Sequence, residues 1–146
     1  MLRVDLGRPL DPRTAVAGAV EIRGLHGGDV SGRIERLTLD PSGRAITVRL
    51  SAPLPDADVY TFRITDVLRT TSGEPLPGDA ATTVAALAGD VDASGAVTAV
   101  DILAVRAHAG KPVDAATRVY DVNDSGDVTG ADMLAARTRL GRRLPQ

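Results

Sequence analysis

Asp90-Val91-Asp92-Ala93-Ser94-Gly95-Ala96-Val97-Thr98-Ala99-Val100-Asp101 and Asp121-Val122-Asn123-Asp124-Ser125-Gly126-Asp127-Val128-Thr129-Gly130-Ala131-Asp132 are one twelve-residue phrase written twice, 31 residues apart. Aligned over Asp90 to Lys111 and Asp121 to Arg142, the copies agree at eleven of 22 positions, which is duplication rather than coincidence. Each copy has oxygen-bearing side chains at positions 1, 3, 5, 9 and 12, and a glycine, Gly95 or Gly126, at position 6. Calcium is a hard cation that takes six to eight oxygen ligands. A loop supplies them from positions 1, 3, 5, 9 and 12 and from the backbone carbonyl of position 7, with glycine at 6 where the chain turns sharply. The predicted ligands for two calcium ions are therefore Asp90, Asp92, Ser94, Ala96, Thr98 and Asp101, then Asp121, Asn123, Ser125, Asp127, Thr129 and Asp132, with Ala96 and Asp127 acting through their carbonyls. One isolated D-x-D-x-S-G also fits an ordinary Asx-rich turn. Two copies in one register, each leading into a similar helix, make that the weaker reading.

Thr98 and Thr129 each stand three residues before an Asp, close to the capping box that starts a helix, so Asp101 and Asp132 close the loop and also face a helix N-terminus. The helices are predicted over 99–108 and 130–140, with Gly110 and Gly141 as C-terminal caps. Ile102, Val105 and Ala109 on one helix and Met133, Ala136 and Leu140 on the other recur at helical spacing, as a seam between the two requires. A shorter helix is expected over 114–119. Val97 and Val128, at position 8, fall in the extended segment through which paired loops commonly hydrogen-bond each other.

These residues resemble the dockerin modules of bacterial secreted proteins. The resemblance rests on the duplicated loop opening Asp-Val-Asp or Asp-Val-Asn and ending in Asp. It rests also on the exiting helices Asp101-Ile-Leu-Ala-Val-Arg-Ala-His-Ala-Gly110 and Asp132-Met-Leu-Ala-Ala-Arg-Thr-Arg-Leu-Gly141. It covers Gly89 to Pro145. The loops differ from the common EF-hand in having Asp at position 12 and Ser at position 5, which implies weaker calcium binding. Thr82, Thr83, Val84 and Gly89 are poor material for a long entering helix, in keeping with the shortened hand of dockerins. The resemblance implies a cohesin-type protein partner. Its contacts, carried over position by position, are Ala99, Val100, Arg106, Ala107 and Lys111 in the first repeat and Gly130, Ala131, Arg137, Thr138 and Arg142 in the second. Well-known dockerins have a Ser-Thr pair where this chain has Ala99-Val100 and Gly130-Ala131, which leaves the partner class open. The same Arg and Lys residues also suit a solvated helix face with no partner.

Residues 1–86 read differently. Leu2-Val4-Leu6, Val20-Ile22, Leu37-Leu39, Ile46-Val48-Leu50 and Tyr60-Phe62-Ile64 alternate with period two, the pattern of half-buried strands. Turn signals separate them, the best being Asp40-Pro41-Ser42-Gly43. Residues 80–84 supply a last strand. The order of elements resembles bacterial immunoglobulin-like domains, carried by Leu6-Gly-Arg-Pro-Leu-Asp11-Pro, Ala52-Pro-Leu-Pro55-Asp and Ser72-Gly73-Glu-Pro75-Leu76. The expected fold is thus two domains: an all-β Ig-like sandwich over 1–86 and an all-α dockerin with two EF-hand-like loop-helix repeats over 87–146.

The rest of the chain narrows the function. Formal net charge is −2, which gives no general attraction to nucleic acid or to a membrane surface. Cysteine is absent, so there is no disulfide staple and no thiol metal site, and calcium would be the staple. No apolar run approaches the roughly 18 residues of a membrane span. Met1-Leu2-Arg3-Val4-Asp5-Leu6 lacks the form of a signal peptide, and the chain opens in a strand. It is therefore expected to be a C-terminal piece of a larger extracellular or cell-surface protein whose export signal lies upstream. Neither His26 nor His108 is accompanied in the sequence by a second His or a Cys that would make a zinc set. There is no G-x-S-x-G elbow or phosphate loop, and no carboxylate pair is left over for glycoside hydrolysis. The chain reads as a non-catalytic, monomeric calcium module that docks a polysaccharide-degrading or surface protein onto a cohesin, with the β region as spacer. The rival reading keeps the calcium and drops the cohesin, making the second half a metal-stapled module of a surface adhesion protein. An intracellular calcium sensor is a weaker third.

Overall fold

The computed structural model describes residues 2–76 and 80–145. In chain order the strands are β1 (Leu2–Asp5), β2 (Val20–Gly24), β3 (Gly28–Asp29), β4 (Ile34–Leu39), β5 (Ala45–Leu50), β6 (Asp58–Ile64) and β7 (Ala81–Ala86). The α-helices are α1 (Ala99–His108) and α2 (Gly130–Arg137). One sheet has the order β1-β5-β4 and the other β3-β2-β6-β7. Contacts divide the chain into two compact units, Met1–Pro55 with Val59–Val84, and Asp56–Asp58 with Ala85–Gln146.

In the first unit, alternation along the strands becomes a buried face. Antiparallel registers set Leu2 opposite Val48, Val4 opposite Ile46, and Ile22 opposite Phe62. Val20, Ile22, Ala45, Ile46, Val48, Tyr60, Phe62 and the loop residues Leu10 and Leu68 are buried. Each large side chain so buried contributes roughly 1.5–3 kcal/mol. Tyr60 is fully buried, and its hydroxyl is satisfied by donating to the Pro55 carbonyl at 3.0 Å. The turn between β4 and β5 is built as its residues dictate: Gly43 takes φ +67°, and Asp40 Oδ1 accepts from the Arg44 and Ala45 N–H groups, both at 3.0 Å.

The second unit corrects the expected fold class. The chain is not an Ig-like sandwich followed by a separate all-α dockerin. It is mostly β, with seven strands in two sheets and only two short α-helices among the described residues. β7 runs to Ala86, inside the second unit. The reason is local. Backbone N–H groups that a helix would pair with carbonyls are taken instead by carboxylates in the two loops. Extended segments then pair as isolated bridges, Ala96 with Arg143 and Pro112 with Asp127. α2 stops at Arg137 rather than Leu140, so Leu140 is exposed and the seam rests on Val105 and Ala136, both fully buried. The expected helix over 114–119 is a turn: Asp114 Oδ1 accepts from the Ala116 and Thr117 N–H groups, and a single 3-10 turn follows at Arg118–Tyr120.

Candidate metal centre

The two loops share most of their hydrogen bonds. In the first, Asp90 Oδ1 accepts from the Ser94 N–H at 2.9 Å and Oδ2 from the Gly95 N–H at 2.8 Å, while Asp92 Oδ1 accepts from the Ser94 N–H at 3.0 Å. In the second, Asp121 accepts from Ser125 and Gly126 at 2.9 and 2.8 Å, and Asn123 Oδ1 from Ser125 at 3.0 Å. The position-5 hydroxyls donate to the position-7 carbonyls, Ser94 to Ala96 and Ser125 to Asp127, both at 3.1 Å. Gly95 and Gly126 take φ +84° and +95°. Position 4 is also left-handed, at Ala93 (φ 58°) and Asp124 (φ 55°), so each loop holds a non-glycine residue in a strained region.

Position 12 joins loop to helix. Asp101 is fully buried. Its Oδ1 accepts from the Val91 N–H at 2.9 Å and the Asp92 N–H at 3.3 Å, and its Oδ2 from the Thr98 N–H at 2.7 Å and the Thr98 hydroxyl at 3.0 Å. Asp132 is buried alike and accepts from Asn123 and from the N–H and hydroxyl of Thr129. Both Thr–Asp pairs form complete capping boxes. Burial pushes both carboxyls up. The N–H and hydroxyl donors outweigh it and hold both below the ordinary 3.8.

Asp90, Asp92 and Asp101 each offer a carboxylate oxygen, all within 4.8 Å of one another. Oxygens bound to one calcium at 2.3–2.6 Å stand at most about 5.2 Å apart, so the spacing suits that ion. The donors are all hard oxygens, and three converging negative charges call for a cation. The second loop has Asn123 in place of Asp92, so it offers two carboxylates at the corresponding positions, although Asp124 and Asp127 bring its acidic residues to four against the first loop's three.

The position-8 valines are buried, but the loops are not joined to each other through them. Gly141 N–H donates to the Val97 carbonyl at 2.9 Å, Val97 N–H to the Arg142 carbonyl at 2.9 Å, and Leu144 N–H to the Gly95 carbonyl at 3.0 Å. Gly110 N–H donates to the Val128 carbonyl at 2.8 Å. Each loop is therefore closed by the end of the other repeat's helix.

All ten residues named for a partner are exposed. Arg106, Gly130 and Arg137 come together in a groove of about 540 Å³ between α1 and α2, floored by Ile102 and Met133. Lys111 and Arg142 do not line this groove. Leu103 and Leu134 do, exposed at 60% and 61%, and were not among the sequence-derived contacts. Their signal was available: each follows the seam residue Ile102 or Met133 by one position, which turns an apolar side chain off the buried stripe. His108 is packed, stacked on Tyr120 at 3.6 Å with Nδ1 2.8 Å from the Ala104 carbonyl. Asp56, which the sequence marked only as the end of Ala52-Pro-Leu-Pro55-Asp in the β region, ends up within the second unit.

This is a duplicated loop-helix module whose first loop gathers three carboxylates. Residues 88–140 match the family model described as the dockerin type I domain, which supports the dockerin reading of this segment. As a family, dockerins are non-catalytic, calcium-binding modules that dock cohesins in cellulosome-like, extracellular or cell-surface assemblies. No curated protein matches the chain. Among solved structures, it is similar to the S-layer protein rSbsC(31-844), with 21% identity and a TM-score of 0.49 over 59% of this chain and 12% of that one. It is similar also to the surface layer protein SbsC, domains 1–6, with 23% identity and a TM-score of 0.45 over 56% and 11%. The chain thus spans about an eighth of the length of these structures. No helix among the described residues is long and apolar enough to cross a membrane.

Proposed function

We propose that the second unit binds two calcium ions, one per loop, and in that state docks a cohesin-type protein through the exposed face of α1 and α2. The first ion is held by Asp90, Asp92, Ser94, Thr98 and Asp101 with the Ala96 carbonyl. The second is held by Asp121, Asn123, Ser125, Thr129 and Asp132 with the Asp127 carbonyl. The observation that carries the reading is that in both oxygen-lined loops the position-1 aspartate accepts from the N–H groups of positions 5 and 6. The ions supply charge compensation and a fixed loop shape. The chain's own part is to present Leu103 and Leu134 as apolar anchors between Arg106 and Arg137, an arrangement suited to a partner with an apolar centre and an acidic rim. The family match supports an extracellular assembly as the setting, with a polysaccharide-degrading parent as the natural cargo.

A ligand bound only by the folded state stabilises it by about 2.7 kcal/mol at a hundredfold excess over Kd. Calcium titration by calorimetry, followed by thermal unfolding with and without chelator, tests this. Two binding events and a calcium-dependent transition are expected; unchanged melting in excess chelator refutes the assignment. Asp92→Ala is expected to weaken the first site and Asp121→Ala the second. A second reading, a calcium staple without a partner, is favoured by the closure of each loop by the opposite repeat. It predicts the same calcium behaviour and no binding to any type I cohesin domain.

A further inference from the structure

The two repeats present matching basic residues, but the fold treats them unequally. Arg142 Nη1 donates to Asp56 Oδ2 at 2.8 Å, and Arg139 Nε lies 3.8 Å from the same oxygen. The other oxygen of Asp56 accepts from the Ala88 N–H at 2.7 Å, and the Ala57 N–H donates to the Ala86 carbonyl at 2.7 Å. Asp56 is thereby fixed at two points against residues 86–88, at a turn where Ala57 takes φ 63°. Its side chain is only 27% exposed. Lys111, the counterpart of Arg142 in the first repeat, is exposed and forms no ion pair among the described residues.

We propose that Asp56 is a specificity-determining residue that holds Arg142 away from an acidic partner, so that the module docks preferentially with the basic end of its first repeat. The inference rests on the docking reading above. Two effects act in one direction. An acidic group on the partner must displace Asp56 before it reaches Arg142, and the Asp56 charge itself repels such a group. Lys111 meets neither obstacle. For a partly exposed pair the bias is about two- to fivefold, and it shrinks as salt screens it.

The test uses the full calcium-loaded chain and Asp56→Asn, which keeps a carbonyl acceptor for the Ala88 N–H and removes the charge. Phenylglyoxal labelling, read by peptide mass spectrometry, reports on each guanidinium. Arg142 is expected to label two- to fivefold faster in Asp56→Asn, with Arg137 unchanged as the internal control. Equal Arg142 rates in the two proteins overturn the proposal. Binding is then measured against purified type I cohesin domains. Lys111→Gln is expected to weaken binding two- to fivefold more than Arg142→Gln, and the difference is expected to vanish in the Asp56→Asn background. Equal losses in the native background overturn the orientation bias while leaving docking intact. Failure of every cohesin to bind overturns the docking reading and the bias with it, while the labelling still decides whether Asp56 restrains Arg142.

Discussion

Single residues in this chain carry more than one constraint, and Gly89 is the clearest case. It is buried with φ +96°, and a Cβ placed there would meet Ala136 Cα at 3.4 Å and Val97 Cγ1 at 3.5 Å. Gly89→Ala therefore meets both left-handed strain and the seam between the first loop and α2. It is expected to destabilise the calcium-loaded second unit by about 1–2 kcal/mol, read as a lowered urea midpoint. Asp40 bears a different load. Donors hold its carboxyl below the ordinary 3.8: the Ser42 hydroxyl first, then the Ala45 N–H, and lastly the nearby Arg3 charge. A carboxyl whose folded pKa is depressed stabilises the fold at pH values above its unfolded pKa, and that contribution is lost as pH falls through the folded value. Asp40→Ala is accordingly expected to unfold more readily at neutral pH, and its deficit against the native chain to close below about pH 3.8. A deficit independent of pH across that window would show that the ionised form is not what holds the turn.

At the scale of elements, the loops and their helices were legible because their constraints are local. Glycine at position 6, oxygen at alternating positions and a Thr-x-x-Asp cap each act within a few residues, and α1 falls where the pattern sets it. The longer strands of the first unit were equally legible from alternation, whereas β3, at Gly28–Asp29, was not. What the sequence did not disclose is set by pairing at a distance. Nothing local to Val97 or Val128 says that the bonding partner is the end of the opposite helix rather than the other loop. Nothing near Asp56 announces an attachment to Ala88 and Arg142. The all-α expectation failed for a related reason: between the helices, side-chain oxygens such as Asp114 Oδ1 and Thr117 Oγ1 accept the N–H groups that a helix would pair with carbonyls. The cross-closure has a consequence for truncation. Of the two loops, residues 141–144 bond to the first, through Val97 and Gly95, so a stop codon after Leu140 is expected to weaken calcium binding at the first loop by tenfold or more and to spare the second. Calorimetry of the truncated chain, with Asp121→Ala to silence the second loop, separates the two sites. Equal weakening of both would mean that the repeats fold as one unit.

Across the second unit as a whole, charge and symmetry combine. Residues 56–58 and 85–146 carry seven basic groups against ten acidic ones, so two calcium ions turn a negative module into one of about +1. Attraction to an acidic partner thus depends on the ions as well as on the fold they stabilise. Association is expected to slow as salt rises towards the regime where the Debye length is about 3 Å. The groove adds the second element. Ile102 corresponds to Met133, Leu103 to Leu134 and Arg106 to Arg137, and all six line the groove, so a half-turn is expected to present similar residues. Removing the basic pair of one repeat leaves the other able to engage after that rotation. Arg106→Ala with Lys111→Ala is therefore expected to weaken cohesin binding by no more than about tenfold. Arg137→Ala with Arg142→Ala is expected to weaken it less, because Asp56 already occupies Arg142 in the native chain. All four changes together leave only the leucines and are expected to abolish docking, while calcium binding, which uses none of these side chains, persists. If one double variant alone eliminates binding, the face works in a single orientation. If the quadruple variant binds normally, the arginines serve only to solvate the helices, and the leucine pair becomes the surface to mutate next.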